Sequence, residues 1–172
     1  MAWYRKAALR GHPKSQVNLG GMYLRGQGSE QNSTEAAIWY HMAAGQGDAL
    51  AQYNLGMIYD FAWNDTKALM WYRKAAEQGY VRAQITLGDM YIRGRVVVQN
   101  YTEALNWFRK AAKENNVDGQ YAVAQIYRQG LAAVQDLTKA TIWFRKAAEQ
   151  GHAGAQFELG VMYDFGADGA QK

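Results

Sequence analysis

The sequence contains no cysteine in its 172 residues. This absence excludes a disulfide framework and a thiolate metal site, and it leaves the redox compartment open. No apolar run approaches the roughly 18 residues that a membrane-spanning helix needs, so we expect no membrane insertion. The opening residues 1–3 already belong to a repeated pattern rather than to a signal peptide.

An excess of charge of one sign is also missing. Nineteen lysines and arginines stand against fifteen aspartates and glutamates, a net charge of +4, and the two signs are interleaved along the chain. No stretch resembles a basic arm for nucleic acid or a polybasic membrane patch. We therefore expect no nucleic-acid partner. The basic pairs of the repeated motif leave only a minor alternative, a solenoid that binds nucleic acid.

An aromatic pair dominates the sequence instead, because it recurs five times. Its first residue is a tryptophan at intervals of 36, 32, 36 and 36 residues: Trp3, Trp39, Trp71, Trp107 and Trp143. Such regular spacing is typical of stacked supersecondary units rather than of one globular core. The sequence therefore predicts a short all-α solenoid.

The first helix of each unit, helix A, has apolar residues at helical spacing, as at Ala51, Leu55, Ile58 and Tyr59. A glycine recurs inside it although glycine costs about 1 kcal/mol against alanine there. The glycines are Gly20, Gly56, Gly88 and Gly160. We expect each to mark the point where helix A crosses its own helix B.

The second helix, helix B, begins at a polar cap seven residues before the tryptophan, at Asn32, Asn64, Asn100 and Asp136. It ends near a glycine or asparagine that suits a left-handed cap: Gly11, Gly47, Gly79, Asn115 and Gly151. The prediction is nine helices, made of a truncated leading helix B, four pairs and a trailing helix A.

The pattern resembles the Sel-1-like repeat, a relative of the tetratricopeptide repeat, most clearly in residues 51–59 (AQYNLGMIY) and 71–79 (WYRKAAEQG). The resemblance implies a right-handed superhelix of antiparallel helix pairs, with helices A on the concave side, that serves as an adaptor for other proteins. It allows a bacterial secreted, periplasmic or cytoplasmic location. We expect one array over residues 1–172, with partial repeats at 1–12 and 152–172 and full repeats at 13–47, 48–79, 80–115 and 116–151.

Candidate catalytic residues are scarce. His12 and His152 share one slot after the helix B glycine, which indicates helix-end residues rather than metal ligands. No spacing pairs two carboxylates for acid–base work. The sequence therefore predicts neither an enzyme nor a cofactor. A small-molecule or hydrolase role remains the alternative, by analogy with a cysteine-rich, penicillin-binding subgroup of the family, and the lack of cysteine weakens that analogy.

The repeated tryptophans Trp39, Trp71, Trp107 and Trp143 are expected in the core, because each removes roughly 150 to 250 Å² from water. Trp63 has no counterpart in the other units and lies in a loop that has lost four residues. Local packing and contact with a partner both remain open for it.

A second set of helix A positions varies from unit to unit and lies within about 60° on a helical wheel, away from the core stripe. Such a face is typical of a recognition surface, although drift on a solvated face is the alternative. We expect a protein or peptide partner to contact Trp63 and the following residues of this face: Leu50, Asn54, Met57, Phe61, Arg82, Thr86, Asp89, Arg93, Gln125 and Gln129. Its apolar centre and the basic Arg82 and Arg93 would suit a peptide with a hydrophobic and an acidic residue.

Overall fold

A computed structural model of the chain describes residues 1–164, and these form ten α-helices with no strand among them. The helices are α1 (Ala2–Leu9), α2 (Pro13–Arg25), α3 (Ser33–Gly45), α4 (Ala49–Phe61), α5 (Asp65–Glu77), α6 (Val81–Arg93), α7 (Tyr101–Lys113), α8 (Val117–Gln129), α9 (Leu137–Glu149) and α10 (Ala153–Asp164). The predicted number of nine is wrong, because a leading helix, four pairs and a trailing helix already make ten.

Helix A of the repeat corresponds to α2, α4, α6, α8 and α10, and helix B to α1, α3, α5, α7 and α9. The leading helix B is truncated as expected, with eight residues against thirteen in α3. The chain divides into two compact units, an N-terminal unit (Met1–Ala83) and a C-terminal unit (Gln84–Lys172). Within the first, α2 packs against α3 and α4 against α5, and within the second α8 packs against α9.

The glycine inside helix A lies against helix B of the same repeat, as predicted. In three repeats, a Cβ atom built on it would lie less than 3.0 Å from the aromatic ring that follows the repeat's tryptophan, a distance that real Cβ atoms essentially never show. The pairs are Gly20 with Tyr40 at 2.9 Å, Gly56 with Tyr72 at 2.6 Å, and Gly88 with Phe108 at 2.5 Å. Gly160 of α10 has nothing within 4 Å. The close approach in these three repeats therefore requires glycine, whereas α8 carries Ala124 in the same slot.

The polar residues predicted as N-caps of helix B take that role. Each side chain accepts a hydrogen bond from the backbone N–H three residues later, at 2.8 to 3.2 Å: Asn32, Asn64, Asn100 and Asp136. Past the other end of the helix, Gly47, Gly79 and Gly151 adopt φ angles between +87° and +90°, and Asn115 adopts +58°. The helix ends thus follow from local backbone chemistry.

The core consists mainly of alanines and one aromatic pair per repeat. Trp39, Trp71 and Trp107 are buried as predicted. Trp143 is only partly buried, with the Nζ atom of Lys146 4.5 Å from its ring centroid, so its prediction as a core residue was wrong in degree. The leading copy, Trp3, is 81% exposed.

A row of buried glutamines also recurs in helix A, at Gln16, Gln52, Gln84 and Gln120. Gln16 and Gln52 donate from Nε2 to carbonyl oxygens of the preceding helix B, at 3.1 and 3.3 Å. The Oε1 atom of a buried glutamine accepts from a second glutamine at the C-terminal end of the following helix B. These bonds join Gln46 to Gln16 at 2.8 Å, Gln78 to Gln52 at 2.7 Å, and Gln150 to Gln120 at 2.8 Å. The amides of Gln16 and Gln52 therefore connect the preceding helix B with the following one.

Candidate functional site

The N-terminal unit presents one part of the predicted recognition face along α4. Leu50 and Met57 are exposed, Asn54 is half-buried, and Phe61 at the end of the helix is 90% exposed. The side chain of Phe61 is entirely apolar, so contact with water is less favourable for it than contact with other apolar groups. Phe61 and Met57 thus expose apolar surface at one side of α4.

A groove adjoins these side chains between the ends of α2 and α4. It measures about 510 Å³ and is lined by Leu24, Gln31, Ser33, Met57, Ile58, Phe61 and Ala62. We call it the Met57 groove. Its walls are mostly apolar, and Gln31 and Ser33 supply an amide and a hydroxyl at the α3 side. The groove thus offers hydrophobic contact with a few groups that can hydrogen-bond.

Trp63 follows Phe61 in the short α4–α5 turn, and its side chain is 87% exposed. Local packing of the ring, one of the two possibilities that the sequence left open, is therefore wrong. The residue has a φ angle of +56°, in the left-handed region that tryptophan rarely adopts. In other repeats glycine takes this conformation after helix A, as Gly26, Gly94 and Gly130 do. Trp63 thus takes a glycine-like conformation one residue further along than these glycines, whose slot in this repeat holds Ala62, and directs its ring into solvent.

Arg82 lies at the start of α6 and is exposed. Burial raises the pKa of the Tyr80 hydroxyl, and the positive charge of Arg82 opposes that rise. The guanidinium therefore lies close enough to Tyr80 to act on its ionisation. A negatively charged partner residue would meet this positive charge at the surface of the same unit.

The C-terminal unit contains a second groove, formed by α6, α7 and α8 with the loop after α8. It measures about 470 Å³ and is lined by Ile85, Asp89, Ile92, Phe108, Asp118, Tyr121, Ala122, Gln125, Ile126, Gln129 and Leu131. We call it the Asp89 groove. The structure thus brings together three predicted residues, Asp89, Gln125 and Gln129. Thr86 is half-buried and Arg93 is exposed on the same helix as Asp89.

The electrostatics of this groove are dominated by Asp89. Although Asp89 is exposed at the surface, the atoms around its carboxyl group exclude water and raise the pKa of that group. The positive charge of Arg93 opposes the shift, and the negative charge of Asp118 adds to it. The charge of Asp118 therefore acts on Asp89, whose carboxyl group lacks full hydration.

Gln125 is bound within the protein. Its Nε2 atom donates to the Tyr121 hydroxyl at 2.7 Å and to the Glu158 carboxylate at 3.1 Å, and its Oε1 atom accepts from Arg128 Nε at 3.2 Å. Arg128 in turn forms an ion pair with Glu158 at 3.1 Å. Gln125 therefore holds α8 to α10. Helical-wheel reasoning did not anticipate this role, since it requires the side chain of a later repeat.

The histidines are part of the helical framework. His12 and His152 accept hydrogen bonds at Nδ1 from Ser15 N at 3.2 Å and Ala155 N at 3.0 Å, so they cap α2 and α10. His41 packs edge-on against Trp71. Within residues 1–164, no three side chains of the types that bind metals converge. No helix among those residues is both long and apolar enough to cross a membrane.

These repeating pairs define the class of protein, an all-α solenoid built of helix pairs. The Sel1 repeat model matches residues 1–12, 13–48, 49–80, 81–116, 117–152 and 153–172. The chain therefore belongs to the Sel1 repeat family. Proteins of this family are generally interaction scaffolds with a non-catalytic fold. The resemblance seen in the sequence is confirmed, whereas the right-handed superhelix and its concave face stay predictions.

Two similar crystal structures come from bacteria. One is a protective antigen present in uropathogenic Escherichia coli strains that displays an SLR fold, 39% identical with a TM-score of 0.96 over 99% of this chain and 38% of that one. The other is a Sel1 repeat protein from Oxalobacter formigenes, 35% identical with a TM-score of 0.87 over 90% of this chain and 65% of that one. The chain thus spans less than two thirds of either relative.

A third structure, Helicobacter pylori cysteine-rich protein B, is 23% identical with a TM-score of 0.61 over 75% of this chain and 96% of that one. At this identity the likeness shows the fold alone. No curated protein sequence matches the chain.

Proposed function

We propose that this chain is a scaffold that binds a peptide segment of a partner protein on its helix A side, with the Met57 groove as the principal site. The observation that carries the proposal is the pair of exposed aromatic side chains beside the groove. Phe61 and Trp63 are 90% and 87% exposed. Large aromatic side chains are enriched among the residues that contribute most binding energy at protein interfaces.

The occupant of the groove is expected to be an apolar side chain of the peptide. Leu24, Met57 and Ile58 supply apolar contact, while Gln31 and Ser33 can bond to the peptide backbone. Burying an aromatic side chain removes roughly 150 to 250 Å² from water, about 4 to 6 kcal/mol at 25 cal/mol/Å² before the costs of association. Truncation of such an anchor typically costs about 2 kcal/mol or more.

The backbone of Trp63 supports the same role. A non-glycine residue in a strained backbone conformation costs on the order of 1 to 3 kcal/mol, and such strain is concentrated at functional sites. Glycine would satisfy the turn without that cost, as it does at Gly26 and Gly130. The large exposed ring gains nothing for the fold, so a contact outside the chain would explain its presence.

The charged part of the proposed contact is Arg82, which the sequence predicts to meet an acidic residue of the partner. Its exposure in the same unit supports this assignment. Exposed charge pairs affect the association rate more than the affinity. Arg82→Glu is therefore expected to slow association most strongly at low salt.

The first experiment locates the partner. A photo-reactive phenylalanine analogue replaces Met57 in one sample and Met70 in another, and crosslinked proteins are identified from a bacterial lysate by mass spectrometry. The two methionines are matched, since they are 45% and 43% exposed and belong to helices A and B of one repeat. A partner that uses the Met57 groove crosslinks to position 57 and not to position 70.

Calorimetry with the purified partner then tests the anchors. Phe61→Ala is expected to weaken binding by about 2 kcal/mol or more, and Trp63→Gly to weaken it while leaving the melting temperature unchanged or higher, because glycine suits the turn. Met70→Ala is the control and should bind normally. Normal affinity for the first two variants, with loss in the third, would move the site to helix B.

A further inference from the structure

The Asp89 groove differs from the Met57 groove in charge. Two carboxylates, Asp89 and Asp118, face a depression whose other walls are aliphatic and aromatic. Neither lysine nor arginine is among the described residues that line it. A surface of this kind is complementary to a cation on an apolar stem.

We infer that the Asp89 groove takes an arginine or lysine side chain that stands next to an aliphatic residue in a partner peptide. The inference rests on the proposed function, because it assumes a peptide ligand. It concerns a different groove and a different charge from the acidic residue expected at Arg82. The two can therefore succeed or fail separately.

The acidic groups of the free protein favour a cationic ligand. The charge of Asp118 acts on Asp89, whose carboxylate has lost part of its hydration to the surrounding side chains. Arg93 offsets part of this negative charge from the same helix but does not line the groove. A ligand cation would supply a counterion where solvent is already partly excluded, and charge-assisted hydrogen bonds there are the stronger kind.

The walls of the groove also suit a basic side chain next to an aliphatic one. Ile85, Ile92 and Ile126 line the groove with Tyr121, so the methylene stem of a basic side chain and an adjacent aliphatic side chain both find apolar contact. The Tyr121 ring stacks on His152, which fixes it as part of this wall. Gln125 is held in place by Tyr121 and Glu158. The part of the wall formed by Gln125 is thus already held in place before a ligand binds.

The test uses two synthetic probes that differ only in charge, acetyl-Leu-Arg-Leu-amide and acetyl-Leu-citrulline-Leu-amide. Citrulline keeps the shape of arginine and removes its positive charge. Each probe is titrated into the ¹⁵N-labelled full chain, and the amide signals are followed by NMR. We expect saturable shifts centred on α6 and α8 with the arginine probe, and about tenfold weaker binding of the citrulline probe.

Variants tie the effect to the groove. Asp89→Asn is expected to weaken the arginine probe about tenfold while leaving the spectrum that of a folded protein, and Asp118→Asn should act in the same direction. Glu149→Gln, which removes an exposed carboxylate from α9, is the matched control and should bind normally. Phe61→Ala should also bind the probe normally, whatever it does to a partner at the Met57 groove.

The inference is overturned by equal affinity for the two probes, by no saturation at millimolar concentration, or by unchanged binding of the arginine probe to both aspartate variants. Preference for acetyl-Leu-Glu-Leu-amide over the arginine probe would overturn it as well. None of these results affects the crosslinking at Met57. Conversely, if crosslinking at Met57 fails while the arginine-dependent shifts are still observed, the Asp89 groove is supported as a binding site and the Met57 groove is not.

Discussion

One position in the glutamine row provides a sharp test of how the repeats are held together. In three repeats a glutamine at the end of helix B donates to the buried glutamine of the same repeat, and these donors are Gln46, Gln78 and Gln150. The repeat register puts Glu114 in this slot opposite Gln84. An ionised carboxylate accepts hydrogen bonds but donates none. Glu114 therefore cannot reproduce the contact, and Glu114→Gln should create it.

The magnitude follows from the counterparts. The existing bonds are 2.7 to 2.8 Å long and end on buried acceptors. A hydrogen bond of this kind contributes about 0.5 to 1.5 kcal/mol net. The substitution also removes a negative charge beside the C-terminal end of α7, where the helix dipole disfavours it by about 0.3 to 1 kcal/mol. Together we expect a gain of roughly 1 to 2 kcal/mol.

A matched variant separates the two contributions. Glu149→Gln removes the same charge from the end of α9, where Gln150 already makes the hydrogen bond. Urea denaturation measures both variants, and the midpoint should shift without a change in slope. Because a repeat array need not unfold in one step, amide hydrogen exchange in α6 and α7 locates the gain.

The difference in the free energy of unfolding between Glu114→Gln and Glu149→Gln is the contribution of the hydrogen bond, about 1 kcal/mol. The reverse substitution, Gln78→Glu, should lose at least that amount, since it removes the donor to Gln52. Equal gains for the two glutamate variants, with no loss in Gln78→Glu, would show that these glutamine contacts do not stabilise the repeats.

The remaining predictions concern helix crossing and ionisation. Gly56→Ala should destabilise the protein by about 1 to 3 kcal/mol, because the added Cβ would meet the Tyr72 ring. Gly160→Ala should instead stabilise α10 by up to about 1 kcal/mol, because the space around Gly160 is open. Thermal melting of both variants checks the contrast. The raised pKa of the Asp89 carboxyl means that the folded state disfavours its ionised form, so its unfavourable contribution develops as the pH rises through the folded pKa. Asp89→Asn should therefore raise stability at neutral pH, and urea denaturation should show the gain vanishing below the ordinary value of 3.8.

The features that could be predicted from the sequence are those decided by local chemistry and repeated several times. An asparagine that caps a helix needs only its own next three residues, and four copies of the signal made it unambiguous. The glycine of helix A could also be predicted, although the aromatic ring that requires it belongs to another helix. Its unfavourable helix propensity, repeated at Gly20, Gly56 and Gly88, had to be offset by a close approach.

The features that escaped prediction depend on contacts between different repeats. Gln125 was placed on the recognition face because its own helix turns it outward, but Glu158 and Arg128 engage it from α10 and from the next turn of α8. The glutamine row was missed although its signal was present, since Gln16, Gln52, Gln84 and Gln120 recur at one slot. Their recurrence at one slot is the signal that sets these glutamines apart from surface variation.

Recurrence and polarity together separate scaffold from binding surface better than either does alone. A polar residue that returns in every repeat has a structural role, as the hydrogen bonds of Gln52 show, because only a structural requirement acts equally on all units. An apolar residue without a counterpart, like Trp63, is exposed, because the repeat fold offers it no pocket. The same comparison sets Asp89 apart, since its slot holds Gly21 and Met57 in the preceding units. A partner would therefore distinguish the repeats by the residues that occur in one unit only. The two grooves differ at this slot, which holds a methionine in the Met57 groove and a carboxylate in the Asp89 groove.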